Sequence, residues 1–134
     1  MIKGIAHLAF RVTNMEESIR FYEKYLGIKK KFELDDDHGN PWIVYLAVSE
    51  NQFIELFYSS IATDKPINTS YQHLCLEVDD VRQIAKDLVS KGLTLDVEPL
   101  LGKDYNWQCW IHDPDGNPIE LMQYTEKSLQ RQKG

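Results

Sequence analysis

Apolar residues follow two rhythms along this chain, and the change from one to the other happens twice. From residue 7 to 12, Leu8, Phe10 and Val12 alternate with His7, Ala9 and Arg11, the period of a half-buried strand. After Asn14 the interval lengthens, and Ile19, Tyr22 and Leu26 recur at helical spacing. Later, Leu74, Leu76 and Val78 alternate with His73, Cys75 and Glu77. Beyond Asp80, Val81, Ile84, Ala85 and Leu88 return to the helical interval. Asn14 and Asp80 predict helix N-caps, and Glu17 and Gln83, three residues on, complete a capping-box pattern in each. Gly27 and Gly92 predict the helix stops. Strand-like segments follow each helix, at 29–34, 42–48 and 52–58 and again at 93–97, 107–111 and 119–124. Asp113-Pro114-Asp115-Gly116-Asn117 predicts a hairpin turn between the last two.

These parallels amount to an internal repeat. Ile5-Ala6-His7-Leu8-Ala9-Phe10-Arg11-Val12-Thr13-Asn14 aligns with Tyr71-Gln72-His73-Leu74-Cys75-Leu76-Glu77-Val78-Asp79-Asp80, at a constant offset of 66. The expected fold class is α+β, with two βαβββ modules at about 1–60 and 70–126. A linker at 59–70, containing Pro66, joins them within one domain at 1–126, and a polar tail follows at 127–134. A lone module would leave its sheet half covered, so the two are expected to pack together.

Alternation then singles out four residues. His7 and His73 lie on the strand faces turned away from the helices, beside small or polar neighbours, as in the lining of a cleft. Glu55 in Phe53-Ile54-Glu55-Leu56-Phe57 and Glu120 in Pro118-Ile119-Glu120-Leu121-Met122 are carboxylates inside apolar strands. Burying such a group is costly unless something positive meets it. The glutamates are 65 apart and the histidines 66 apart, so an internal two-fold would gather all four. Each residue alone reads as structural. Together, two imidazoles and two carboxylates suit one divalent first-row ion per chain (Zn, Ni, Co, Mn or Fe), with positions left open for substrate.

Composition narrows the classes. The 134 residues suffice for one hydrophobic core, and the net charge of −6, with no basic cluster, opposes nucleic-acid binding. No apolar run is long enough for a bilayer, and the start MIKGIAHLAF lacks the features of a secretion signal. Cys75 and Cys109 are far apart and without a CxxC spacing, which indicates neither a disulfide framework nor a zinc knuckle. A cytoplasmic protein acting on a small molecule, with no nucleic-acid or membrane partner, is expected.

Several segments resemble the glyoxalase and bleomycin-resistance group, the vicinal oxygen chelate superfamily. They are His7-Leu8-Ala9-Phe10-Arg11-Val12, Ser18-Ile19-Arg20-Phe21-Tyr22, Tyr25-Leu26-Gly27, Glu55-Leu56, His73-Leu74, and the run from Asp113 to Leu121. The resemblance implies a glyoxalase-like fold, a curved mixed sheet around a metal-binding cleft. The His/Glu/His/Glu set is most similar to the glyoxalase I (lactoylglutathione lyase) branch. By that likeness His7, Glu55, His73 and Glu120 are metal ligands, Glu120 or its counterpart Glu55 is the catalytic base, and Arg11 holds a substrate carboxylate. The implied chemistry is a proton shift through an enediolate, on a hydroxy-carbonyl compound or a hemithioacetal. Relatives commonly form homodimers, and the edges of two half-sheets need covering; a homodimer is expected.

The chain departs from that branch in two places. Ser59 stands where glyoxalase I has Asn, and the seventh strand reads Asn106-Trp107-Gln108-Cys109-Trp110 in place of small apolar residues. In the family register Asn106, Gln108 and Trp110 face the cleft and bind substrate, an amide pair with an aromatic platform that suits a hydroxylated compound. Two alternatives follow. One is an isomerase or epimerase of a hydroxylated, sugar-like metabolite. The other is a member of the superfamily that binds a small molecule without turnover.

Overall fold

Two helices with matching caps anchor the architecture. In this computed structural model, which describes residues 1, 3–59 and 71–133, the first helix, α1, spans Met15–Leu26. The Asn14 side chain accepts a hydrogen bond from the Glu17 amide at 3.0 Å, satisfying a donor that the helix itself leaves free. The second, α2, spans Val81–Ser90, and Asp80 caps it in the same way, accepting from the Gln83 amide at 3.0 Å. Gly27 closes α1 in the left-handed conformation, with φ 66°, which costs a glycine little. At the end of α2, Lys91 keeps a negative φ and Gly92 makes the left-handed turn at φ 95°.

The chain divides into two compact units, Met1–Ile67 and Asn68–Gly134. The first holds β1 (His7–Val12), β2 (Lys29–Asp35), β3 (Pro41–Ser49) and β4 (Gln52–Tyr58) in the order β1-β4-β3-β2. The second holds β5 (Leu74–Glu77), β6 (Val97–Leu101), β7 (Trp107–His112) and β8 (Pro118–Gln123) in the order β5-β8-β7-β6. In each sheet the first strand pairs parallel with the fourth, and the other pairings are antiparallel. Each unit is thus βαβββ, and the α+β class expected from the repeat is the class observed. Apart from Ser59, the expected linker lies outside the described residues.

Alternation divides each sheet into a core face and an opposite face. Phe10, Val12, Val44, Leu46, Ile54 and Leu56 are buried in the first unit; Leu74, Cys109, Ile111, Ile119 and Leu121 are buried in the second. Helix residues Phe21, Tyr22, Val81, Ala85 and Leu88 are buried with them. Shrinking one such side chain, as in Leu56→Ala, costs about 2–5 kcal/mol of stability.

Two expectations need correcting. The strand expected at 93–97 is displaced to Val97–Leu101, because the Leu93 amide is spent on the Leu88 carbonyl, closing the end of α2 at 3.0 Å. β6 contains Pro99, and it is an outer strand of its sheet with a register shift between Val97 and Leu100. An edge position and a bulge are the places where a strand tolerates a proline. His73 was expected inside its strand, but β5 begins one residue later, at Leu74. Within the polar tail, Ser128 is fully buried, Leu129–Arg131 form a 3-10 turn, and the Leu129 amide bonds the Asp104 carbonyl at 3.0 Å.

Candidate metal centre

Strand register accounts for the placement of each expected ligand. Ala9 lies opposite Glu55 in the parallel β1–β4 pair, so His7, two residues before Ala9, shares a sheet face with Glu55 on the diagonal. His7 Nδ1 stands 2.9 Å from Glu55 Oε2. Cys75 lies opposite Glu120 in the β5–β8 pair, and His73, two residues before Cys75, meets Glu120 with Nε2 to Oε1 at 3.2 Å. The repeat therefore builds one imidazole–carboxylate pair in each unit, on the face away from the helix.

The two carboxylates are well covered: the Glu55 side chain is 8% exposed and that of Glu120 13%. A carboxylate so placed depends on a positive or hydrogen-bonding neighbour for its stability. The Cys75 thiol is such a neighbour of Glu120. Its pKa is pushed up to about 12, by burial first and then by the Glu120 charge and hydrogen bond. Cys75 still reaches solvent over part of its surface, yet the thiol stays protonated and donates. Cys109, fully buried, is pushed up to about 11 by burial and by Glu98. Among the described residues no group of three or more His, Cys, Asp and Glu side chains is placed to hold an ion. What each supplies is one nitrogen and one oxygen donor. Imidazole nitrogen and carboxylate oxygen are donor types that suit a divalent first-row ion.

The remaining expected residues occupy distinct surroundings. Arg11 is exposed in β1, on the face of His7 and Ala9 and opposite Phe57. Trp110 lies opposite Glu120, and its ring meets that of His73 edge-on, with centroids 4.7 Å apart. The Trp110 indole donates to Gln108 Oε1 at 2.6 Å. Asn106 is fully buried and donates from Nδ2 to Gln130 Oε1 at 2.7 Å, while its own Oδ1 has no partner. Two participants escaped the sequence reading. Gln72 Oε1 lies 2.5 Å from His73 Nδ1, and Tyr45, opposite Glu55, stacks on Phe32 with centroids 4.3 Å apart. The aromatic character of the unit 1 face was visible in Phe32, Tyr45, Phe53 and Phe57; nothing in the pattern marked Gln72.

Comparison with known proteins adds to this geometry. The family model of the Glyoxalase/Bleomycin resistance protein/Dioxygenase superfamily matches residues 4–121. A lactoylglutathione lyase of Escherichia coli O157:H7 is 28% identical over 124 residues, covering 89% of this chain and 91% of the relative. A lactoylglutathione lyase of Arabidopsis thaliana is 25% identical over 122 residues, and there this chain spans only 43% of the relative's length. The crystal structure of glyoxalase I from Zea mays matches with a TM-score of 0.78 at 25% identity, over 91% of this chain and 45% of the maize chain. The fold is thus shared both with chains of this length and with halves of longer ones. Among the described residues no helix is long and apolar enough to cross a membrane.

Proposed function

The chain belongs to the Glyoxalase/Bleomycin resistance protein/Dioxygenase superfamily, and from that premise we propose a divalent-metal-dependent lyase or isomerase of the lactoylglutathione lyase type. One observation carries the reading: the duplicated His–Glu pair, His7 with Glu55 and His73 with Glu120, at equivalent register in two units. These four side chains would hold one divalent ion. When bound, the ion supplies a Lewis acid for two adjacent oxygens of a hydroxy-carbonyl compound or hemithioacetal.

The protein's own groups do the rest. Glu120 takes the proton from the carbon beside the carbonyl and returns it to the neighbouring carbon, a 1,2-proton shift; Glu55 is its counterpart by symmetry. His7 and His73 stay in place as anchors. Arg11, farther along β1 on the same face, receives an anionic group at the distant end of the substrate. The proposal includes a homodimer and a cytoplasmic setting, the latter in keeping with the free thiols of Cys75 and Cys109.

Gln108 favours a second reading. Its Oε1 is taken by Trp110, which leaves the Nε2 hydrogens to donate to a hydroxyl, as an isomerase or epimerase of a hydroxylated metabolite would need.

Metal analysis and proton exchange test the reading together. Purified protein should carry about one divalent ion per chain. In deuterated water, NMR should show exchange at the carbon beside the carbonyl, with methylglyoxal plus thiols for the first reading and with hydroxylated sugars for the second. Stoichiometric metal surviving in both His73→Ala and Glu120→Gln would overturn the ligand set. Tight ligand binding with no exchange in any hydroxy-carbonyl compound would convert the enzyme into a binding protein.

A further inference from the structure

Resting on that metal reading, we propose that Gln72 is a positioning residue. It holds His73 in the tautomer that turns the Nε2 lone pair toward Glu120 and readies it for a divalent cation. Gln72 Oε1 lies 2.5 Å from His73 Nδ1. A carbonyl oxygen only accepts, so in the neutral ring, the form that can bind a metal ion, the hydrogen belongs on Nδ1. The other nitrogen then faces Glu120 Oε1 at 3.2 Å with its lone pair. Two acceptors at that distance repel unless something positive joins them, and a metal ion binding nitrogen and oxygen satisfies both. A hydrogen bond on the far nitrogen of a ligating histidine is the usual means of fixing its tautomer and strengthening it as a donor.

A second contact keeps the ring from turning. Trp110 meets it at an interplanar angle of 70° and is itself tethered through its indole N–H to Gln108. Gln108 lies over Gly102, where a Cβ would come within 2.5 Å of its Nε2, so the glycine leaves room for this amide.

The brace belongs to one half of the repeat. The residue before His7 is Ala6, which carries no acceptor, and His7 turns Nδ1, not Nε2, to its carboxylate. Local backbone explains why neighbours can meet at one site and not the other. His7 is the first residue of β1 and already follows its alternation, paired with Phe53. His73 precedes β5, outside that alternation, and the side chain of Gln72 can reach it.

Gln72 is exposed, so its replacement is expected to leave the fold intact. The test compares wild type, Gln72→Leu and Gln72→Glu. Long-range proton–nitrogen NMR of the metal-free proteins reports the His73 tautomer, and a titration with Zn²⁺ alone reports affinity. The wild type should show hydrogen on Nδ1. Gln72→Leu should move it to Nε2, facing Glu120, and weaken Zn²⁺ binding about 10–100-fold. Gln72→Glu, which restores an acceptor, should keep the wild-type tautomer and affinity, and all three should unfold at the same urea midpoint. An unchanged tautomer and affinity in Gln72→Leu would overturn the proposal. Failure of the metal reading looks different: wild type and His73→Ala would bind Zn²⁺ equally weakly. The metal-free tautomer would still decide whether Gln72 sets the ring.

Discussion

The two imidazole–carboxylate pairs come from the same sequence pattern, yet they are held very differently. In the first unit His7 meets Glu55 from the first position of a strand, with half of its side chain exposed and only Ala6 before it. In the second, His73 sits just ahead of its strand with Gln72 on one nitrogen, Glu120 near the other and Trp110 against the ring. The carboxylates differ too. Glu120 has the Cys75 thiol opposite it, where Glu55 has the methyl of Ala9. The repeat keeps the residue types and the register, while the second pair has more neighbours holding its ring than the first. A rigid donor loses less freedom on binding, so the second pair is expected to contribute more to holding an ion and to orienting the base.

The largest effect should come from the carboxylates. Glu120→Gln should lower substrate proton exchange by about a thousandfold, the middle of the range for a positioned base. Glu55→Gln should lower it less, both followed by NMR in deuterated water. Equal losses would break the comparison and make the two glutamates interchangeable.

Next come the histidines. His73→Ala should weaken Zn²⁺ binding by about tenfold more than His7→Ala, because it removes a ligand together with the partner groups that fixed it. Competition titration with a chelator measures both, and the reverse order would identify His7 as the principal anchor.

The C-terminal segment sharpens the contrast at the level of stability. Removing residues 127–134 takes away Gln130 and leaves the buried Asn106 amide without its acceptor, at a cost of about 1–3 kcal/mol. Urea denaturation should show this loss; an unchanged midpoint would mean that the segment is an ornament on the second unit.

The smallest effect concerns the helix ends. Gly27→Ala forces a left-handed φ of 66° on a residue with a Cβ and should cost about 1 kcal/mol. Lys91→Ala, at the corresponding place after α2 with φ −86°, should be close to neutral by the same measurement.

Legibility in the sequence followed the physics of each feature. Helix caps at Asn14 and Asp80 were legible because a side-chain oxygen three residues ahead of an amide is a local motif. The His–Glu pairs were legible because strand alternation and the repeat act over fixed intervals. Gln72 was hidden because alternation assigns it to the opposite face, and only a late strand start brings it to His73. The displacement of β6 was hidden because the bond from the Leu93 amide to the Leu88 carbonyl that prolongs the helix end leaves no mark in the apolar pattern. The anchoring of 127–134 was hidden for another reason: polar residues with no apolar period signal solvent, whereas here they satisfy a buried amide.

Pro99 also bears on how the molecule behaves when crowded. An outer strand offers a row of free amides and carbonyls on which a foreign strand can grow, the first step toward fibrous precipitates. Pro99 has no amide to offer, and the register shift beside it bends the edge. A chain adding to β6 would find its hydrogen-bond ladder interrupted at the middle rung. At that edge a single residue thus makes β6 a poorer template for stacking.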